Sequence, residues 1–508
     1  GLKSDAPVLG KERKAVYDDS MKAGFPDEMG SIEATTAFIA DYCEGMTVWS
    51  HPNAQANVIP PPTISSITAF VAAAIYNPNV IWDEYSARFA EAEVRAIAML
   101  SDLVGYDASR SGGLFTFGGT GTILYGCKLG LERLYNGDVM QNGLREDVKI
   151  ICSDVSHYSH LNVAGWLGVG TRNIIAIPAT SENEMCLIAL EKYLRGCFGR
   201  GEKVAVIIAT LGTTDAFGLD DLAAIVRLRD SLAEEYGLDY RPHVHADAVI
   251  GWAWSVFRDY DFELNPLGFH ARTLRSLQDS LTRITALEMA DSIGVDFHKT
   301  GYAPYISSAF LVKDRQHLSL LSRATAQMPY LYQFGNYHPG IYTLECSRSG
   351  ASALAALANM RLLGKQGYRV LIGHAVEMAE MLRERLERHP CIKLLNDYNY
   401  GPVTLFRVYP KGMDAHETWL TEMGENGGAI VRMLNTYNRK LFDYLHAQAM
   451  HGEGVLLSWT DAYQSCHCND GPPLSAIKSF IMSPWTDIKS VETVVERVLE
   501  ARDKVWFE

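Results

Sequence analysis

The chain has 508 residues, 47% of them hydrophobic and 21% charged, with a formal net charge of −14. That balance describes a globular protein long enough for two or three domains, and its acidity argues against nucleic acid or another polyanion as main partner. No apolar run approaches the roughly 20 residues that cross a bilayer, Gly1–Asp5 lacks the order of a signal peptide, and nine scattered cysteines suit reduced thiols in a cytoplasmic protein.

Residues 1–50 are polar and weakly periodic. Ile59-Pro-Pro-Pro62-Thr63 is a stiff extended segment, fit for a linker or a pocket wall. A helix is expected from Ser65 to Asn77-Pro78. Another begins near Asp83, with Phe89, Ala92, Ala96, Leu100 and Leu103 on one apolar face and Gly105 as its stop. Ser111–Thr122 is a Gly/Thr-rich loop that opens a further helix. Its backbone N–H groups and the hydroxyls of Thr120 and Thr122 would suit a phosphate. A dinucleotide loop is the rival reading, but the acid-ended short strand it needs about 20 residues on is missing, as is a Walker lysine.

From residue 147, short apolar runs alternate with helical stretches: Val148–Cys152, Ile174–Ile177, Val204–Ala209, His243–Ala246 and Ser292–Val295. That alternation predicts an α/β domain with a largely parallel sheet, whose ligands bind at the carboxyl ends of the strands. His157, Thr210-Leu-Gly-Thr-Thr214, Asp247 and Asp296-Phe-His298-Lys299 all fall at such ends. An anion cradle, a flat ring, a carboxylate and a lysine amine match one cofactor. Pyridoxal phosphate (PLP) has an anionic tail, an aromatic ring, a pyridine nitrogen and an aldehyde. His157 can stack on the ring, Asp247 can keep its nitrogen protonated, and Lys299 can form the Schiff base.

Phe115-Thr-Phe-Gly-Gly-Thr120, Ser153-Asp-Val-Ser-His157, Thr210-Leu-Gly-Thr-Thr214, His245-Ala-Asp-Ala-Val249 and Asp296-Phe-His-Lys299 together resemble group II PLP-dependent amino-acid decarboxylases. The resemblance implies the aspartate-aminotransferase fold (fold type I) and a homodimer with shared active sites. It implies an N-terminal segment over 1–80 that wraps the partner, a large PLP-binding domain over 81–350 and a smaller α+β domain over 351–508. It assigns Lys299 to the Schiff base, Asp247 to the pyridine nitrogen and His157 to stacking. Gly119, Thr120, Gly121 and His298 fall near the phosphate and Thr214 near the ring. Two positions depart from the family pattern. Gly121-Thr122 stands where Glu-Ala is usual, and Val249 where a second alanine packs on the ring.

Beyond Lys299, Ser307–Lys313 reads as a strand, and Gln327–Gly350 as a loop, a strand and a helix start. By the same resemblance a tyrosine on this loop protonates the carbanion, usually in the neighbouring subunit; Tyr337 is the first choice and Tyr332 the second. Arg348 resembles the arginine that receives the substrate carboxylate, and its planar fork suits that task. Residues 351–385, 429–449 and 489–505 read as helices, Val403–Val408 and Val455–Ser458 as strands. Cys466-His467-Cys468 is too tight for a usual zinc pair and reads as a loop, with no metal expected. The Pro60–Thr63 wall, whose Pro62 and Thr63 would line the substrate pocket, carries no basic residue for a second carboxylate. The Phe-Gly-Gly-Thr-Gly-Thr run resembles a branch acting on neutral, hydrophobic amino acids such as methionine, valine or leucine. Tyrosine is the alternative substrate, and a decarboxylating oxidative deaminase that yields an aldehyde the alternative reaction.

Overall fold

The computed structural model describes residues 6–10, 15–329, 334–398, 401–424, 427–463 and 472–506. Tyr332 and Cys466–Cys468 lie outside them.

Seven strands form the central sheet: β1 (Gly112–Thr116), β2 (Val148–Ser153), β3 (Ile174–Ile177), β4 (Lys203–Thr210), β5 (His243–Asp247), β6 (Ser292–Asp296) and β7 (Ser308–Val312). Their order is β1-β7-β6-β5-β4-β2-β3. β2 to β6 run parallel and β7 runs against both its neighbours. β4, β5, β6 and β7 are buried almost throughout, and β4 and β7 accordingly read in sequence as continuous apolar runs rather than alternating ones. Register matters for function: Thr210 pairs with Asp247, and Asp247 with Gly294. The carboxyl ends of three neighbouring strands therefore finish side by side.

The Gly119–Leu134 helix lies against this sheet, with ten of its residues buried. It comes close because of its glycines. A Cβ on Gly126 would stand 2.6 Å from Nδ1 of His245, and one on Gly130 2.4 Å from Cγ2 of Val206. The expected helices at 65–77 and 83–105 are Ile64–Tyr76, closed by left-handed Asn77, and Arg88–Val104, closed by left-handed Gly105. A short separate turn, Asp83–Ser86, precedes the second.

The long Ala351–Glu387 helix changes direction at Gly364, whose φ is +54°. Its first part packs into the large core through Ala353, Ala356 and Ile372. Its end joins a second core through Met378, Leu382 and Leu386. That second core belongs to an antiparallel sheet of β8 (Ile392–Leu394), β9 (Val403–Val408), β10 (Ser458–Tyr463) and β11 (Leu474–Phe480), in the order β10-β11-β9-β8.

Three expectations fail here. β1 is a strand although it begins Gly-Gly, because β7 pairs with all five of its residues. Val455–Leu457 precedes β10 rather than forming a strand; it is buried, and Leu456 instead bridges to Ala54. Among the described residues of 327–350 there is no strand, but 3-10 turns and an isolated bridge from Ser349 to Asn79. That stretch satisfies its backbone piecemeal on the 78–84 segment, as where Gly340 N donates to Ile81 O.

Candidate active site

Lys299 follows β6 by three residues. Its Nζ lies 2.9 Å from Oδ2 of Asp296, a carboxylate that is only 1% exposed. Asp296 is fixed in turn by Ser308 Oγ, which donates to Oδ1 at 2.6 Å. Sequence reasoning quoted Asp296 in the motif but gave it no task. The structure makes it the anchor that holds the lysine amine at the sheet edge. His298 is buried beside it, Nε2 3.4 Å from the same carboxylate and Nδ1 against the Ser307 backbone, with the Tyr305 ring 4.1 Å away. Burial lowers the pKa of His298 and keeps it neutral at ordinary pH.

Asp247 ends the neighbouring strand and is 4% exposed. Burial pushes its carboxyl up to about 6, against the opposing pull of the Lys299 charge. Its Oδ1 is buried with no hydrogen-bond partner. A buried acceptor left open in this way costs free energy unless a donor arrives, and a protonated ring nitrogen is such a donor. His157, from the loop after β2, stacks on Tyr158 at 4.4 Å; its Nδ1 accepts from Ser159 N at 3.2 Å, which leaves the proton of the neutral ring on Nε2. Burial and then the nearby Lys299 charge lower its pKa. Thr214 and His157 line the same cavity of about 340 Å3 with Val155, Tyr158, Asp215 and Tyr463.

The Gly119–Leu134 helix has no side-chain cap; Gly121 N donates to Gly118 O at 2.9 Å, which leaves the N–H groups of Gly119 and Thr120 to meet an anion. Gly118 turns into it with φ +99°. A Cβ on Gly119 would sit 3.2 Å from both Asp296 Oδ2 and Val249 Cγ1, so Gly119 keeps a cradle open next to the lysine anchor. The two departures from the family pattern have local reasons. Gly121 makes room for Thr116, whose hydroxyl donates to Glu345. Thr122 is buried and donates to Gly119 O at 2.8 Å, inside the helix turn. These residues fit PLP at both ends: an anion cradle at one, an unsatisfied carboxylate oxygen at the other.

The structure does not bring every expected residue here. Arg348 is buried, and its fork is filled. Nη1 and Nη2 pair with both oxygens of Glu93, and the same nitrogens also donate to Phe115 O and Val80 O. The fork that the resemblance offers to a substrate carboxylate is taken here by Glu93, a residue to which the sequence gave no task. Tyr337 lies in this second cluster, its hydroxyl 3.3 Å from that of Tyr342. Burial and then the Glu93 charge raise its pKa well above the usual tyrosine value. Among the described residues no contact joins Tyr337 to Lys299, Asp247 or His157. Thr63 is an N-cap: it accepts from Ser66 N at 3.2 Å, and its own N donates to Tyr302 O. Pro62 precedes it on the surface. The small domain supplies a residue that sequence reasoning overlooked. Lys478 of β11, 6% exposed, reaches Asp215 on the cavity wall at 2.7 Å.

A parallel sheet with one reversed strand, carrying lysine, aspartate and histidine at its carboxyl edge beside an open helix start, defines a PLP-dependent enzyme of fold type I. A family model described as the pyridoxal-dependent decarboxylase conserved domain matches residues 25–408, and the chain belongs to that family. It is 24% identical to L-2,4-diaminobutyrate decarboxylase of Acinetobacter baumannii over 472 residues, 90% of this chain and 81% of that protein. It is 30% identical to L-tyrosine decarboxylase of Enterococcus faecium over 255 residues, 47% of this chain and 41% of that one. In fold it is similar to mouse CSAD in apo form (TM-score 0.78, 18% identity, 98% of this chain and 94% of that chain). It is similar also to Oryza sativa TDC with PLP and tryptamine (TM-score 0.76, 16% identity, 98% and 93%). The protein is a carboxy-lyase that removes CO2 from an amino acid with PLP as cofactor.

Proposed function

We propose that the substrate is a neutral, hydrophobic L-amino acid of the methionine, valine or leucine type, and that the product is the primary amine. The lining of the His157 cavity carries this reading. It includes Val155, Tyr158, Ala216, Ala462 and Tyr463 and, among the described residues, no lysine or arginine to take a second carboxylate. Its two carboxylates, Asp154 and Asp215, would repel an acidic side chain. Asp215 is paired with Lys478 and accepts from Thr460, while Asp154 Oδ1 accepts from Ala179 N. Tyrosine is the second reading, favoured by the aromatic lining and by the named activity of the Enterococcus faecium relative.

Bound PLP would supply an aldehyde for the amine and a cationic ring that accepts the electron pair left at Cα when CO2 departs. Lys299 would tether the cofactor, and Asp296 positions that lysine. Asp247 keeps the ring nitrogen protonated through its open Oδ1. His157 covers one ring face and Thr214 lies beside it. The first turn at Gly119, Thr120 and Gly121, with His298 nearby, holds the phosphate. Tyr337 would return a proton to Cα, in a partner's site as the family resemblance implies; in its own chain its hydroxyl lies by that of Tyr342.

The homodimer rests on exposed apolar surface. The Ile32–Asp41 helix buries none of its residues within the chain. Phe25 and Met29 are 98% and 99% exposed, and Ile64, Val71 and Ile75 form an open face nearby in sequence. A monomer seldom leaves so much apolar surface open. A cytoplasmic location agrees with the free thiols of the described cysteines. Amine and peroxide detection over the twenty amino acids and 2,4-diaminobutyrate tests the substrate. Preference for aspartate, glutamate or diaminobutyrate would sink the reading, and peroxide in step with CO2 would shift the reaction to oxidative deamination. Sedimentation of a chain lacking residues 1–45 tests the wrap: the dimer should weaken or be lost.

A further inference from the structure

The segment around Tyr337 is held by two carboxylates that neither motif nor cofactor chemistry points to. Asn336 N donates to both oxygens of Asp83, at 2.9 and 3.1 Å, and Phe334 N donates to Oε1 of Glu84 at 2.6 Å. The clamp closes from the other side, where Asp83 N donates to Tyr337 O at 3.0 Å. Gly335 lies flat on the same carboxylate: a Cβ there would come 2.0 Å from Asp83 Oδ1. Further along, Glu345 takes the hydroxyls of Thr116 and Tyr125, next to the cofactor cradle. The loop is thus pinned at its far end to the helix that opens at the phosphate site, and at its near end to Asp83 and Glu84.

We propose that Asp83, seconded by Glu84, is a positioning residue for decarboxylation: its carboxylate fixes the backbone that carries Tyr337 and so sets the rate of proton delivery to Cα. The proposal rests on the reading of Tyr337 as proton donor. Bonds to an ionised carboxylate are stronger and more directional than those to a neutral acceptor. Partial desolvation raises the Asp83 pKa, but backbone N–H donors outweigh it, and the net value lies below that of an ordinary aspartate. The clamp is therefore charged at neutral pH. Asp83 touches neither cofactor nor substrate in its own chain; it acts through the loop, whose reach is backbone geometry, and a misplacement of about 1 Å in a reacting group can cost about a hundredfold in rate.

The test uses the holoenzyme with the best substrate of the panel. Asp83→Ala should lower kcat by between about ten- and a hundredfold. KM, cofactor occupancy read from visible absorbance, and Tm should all stay near wild type. Asp83→Asn should recover part of the rate, because its amide oxygen still accepts the Asn336 N–H. Gly335→Ala, whose Cβ would push the loop off an unaltered Asp83 carboxylate, should reproduce the loss. In a Tyr337→Phe background Asp83→Ala should add nothing. Full kcat in Asp83→Ala, an equal further drop in the Phe background, or a loss confined to occupancy and Tm each overturns the proposal. If Tyr337→Phe itself keeps full kcat, the donor reading fails and takes this proposal with it; an impaired Tyr337→Phe beside an unimpaired Asp83→Ala overturns the positioning role alone.

Discussion

Asp247 gives the sharpest quantitative prediction, because the site makes it pay in stability for what it offers the cofactor. Burial moves its carboxyl from 3.8 to about 6. The unfolded chain releases this proton near the first value and the folded chain near the second. Between them the folded state binds more protons than the unfolded one, so stability falls as pH rises. At ~1.4 kcal/mol per pH unit the ionised carboxylate costs the cofactor-free fold about 3 kcal/mol at pH 7, and roughly half of that at pH 5. Asp247→Asn keeps the shape and the acceptor but removes the charge. In urea unfolding of the cofactor-free protein at fixed concentration, the advantage of the variant should grow by about 1.5 kcal/mol between pH 5 and pH 7.5. Added PLP should reverse the order, since it stabilises whichever chain binds it more tightly, and the variant should lose most of its activity. A stability difference that is flat with pH, or a variant gaining as much from PLP as the wild type, would refute the reasoning.

Other outcomes follow from single contacts. Lys299→Ala should abolish both activity and the visible absorbance of tethered cofactor while leaving the fold intact, checked by spectroscopy and Tm. Arg348→Ala should destabilise by about 3–5 kcal/mol, because it strands a buried Glu93; a raised KM with unchanged Tm would restore Arg348 as a substrate ligand. Gly294→Ala should cost about 1–3 kcal/mol of stability, since its Cβ would come 2.4 Å from Thr122 Oγ1. Thr122→Ala in the same chain should recover most of that loss in urea unfolding.

Much of the scaffold was legible before any coordinates. β3 and β9 lie where their apolar runs place them, and the Gly428–Met450 and Ile488–Lys504 helices fall within a residue of their periodic stretches. In β9 and the two helices local pattern and burial agree, while β3 buries only Ile177. Chemistry was legible too: lysine, aspartate, histidine and a glycine-rich helix start at strand ends point to one cofactor, whatever the loops between them do. β1 was not legible, because its first two residues are glycines and only pairing with β7 makes it extended.

What the linear chain determined, then, is which chemical groups are present and which strands can carry them to a common edge. Which groups meet was decided by the folded chain. An arginine fork is equally suited to a substrate carboxylate or a glutamate, and Glu93, 255 residues before Arg348, reaches it first. Lys478 meets Asp215 on the cavity wall only because the small domain's sheet closes against the large one. Asp83 acquires a task only when a loop some 250 residues later lies down on it. Spacing along the chain carries no record of such meetings, since they are settled by packing between elements rather than by the propensities within each.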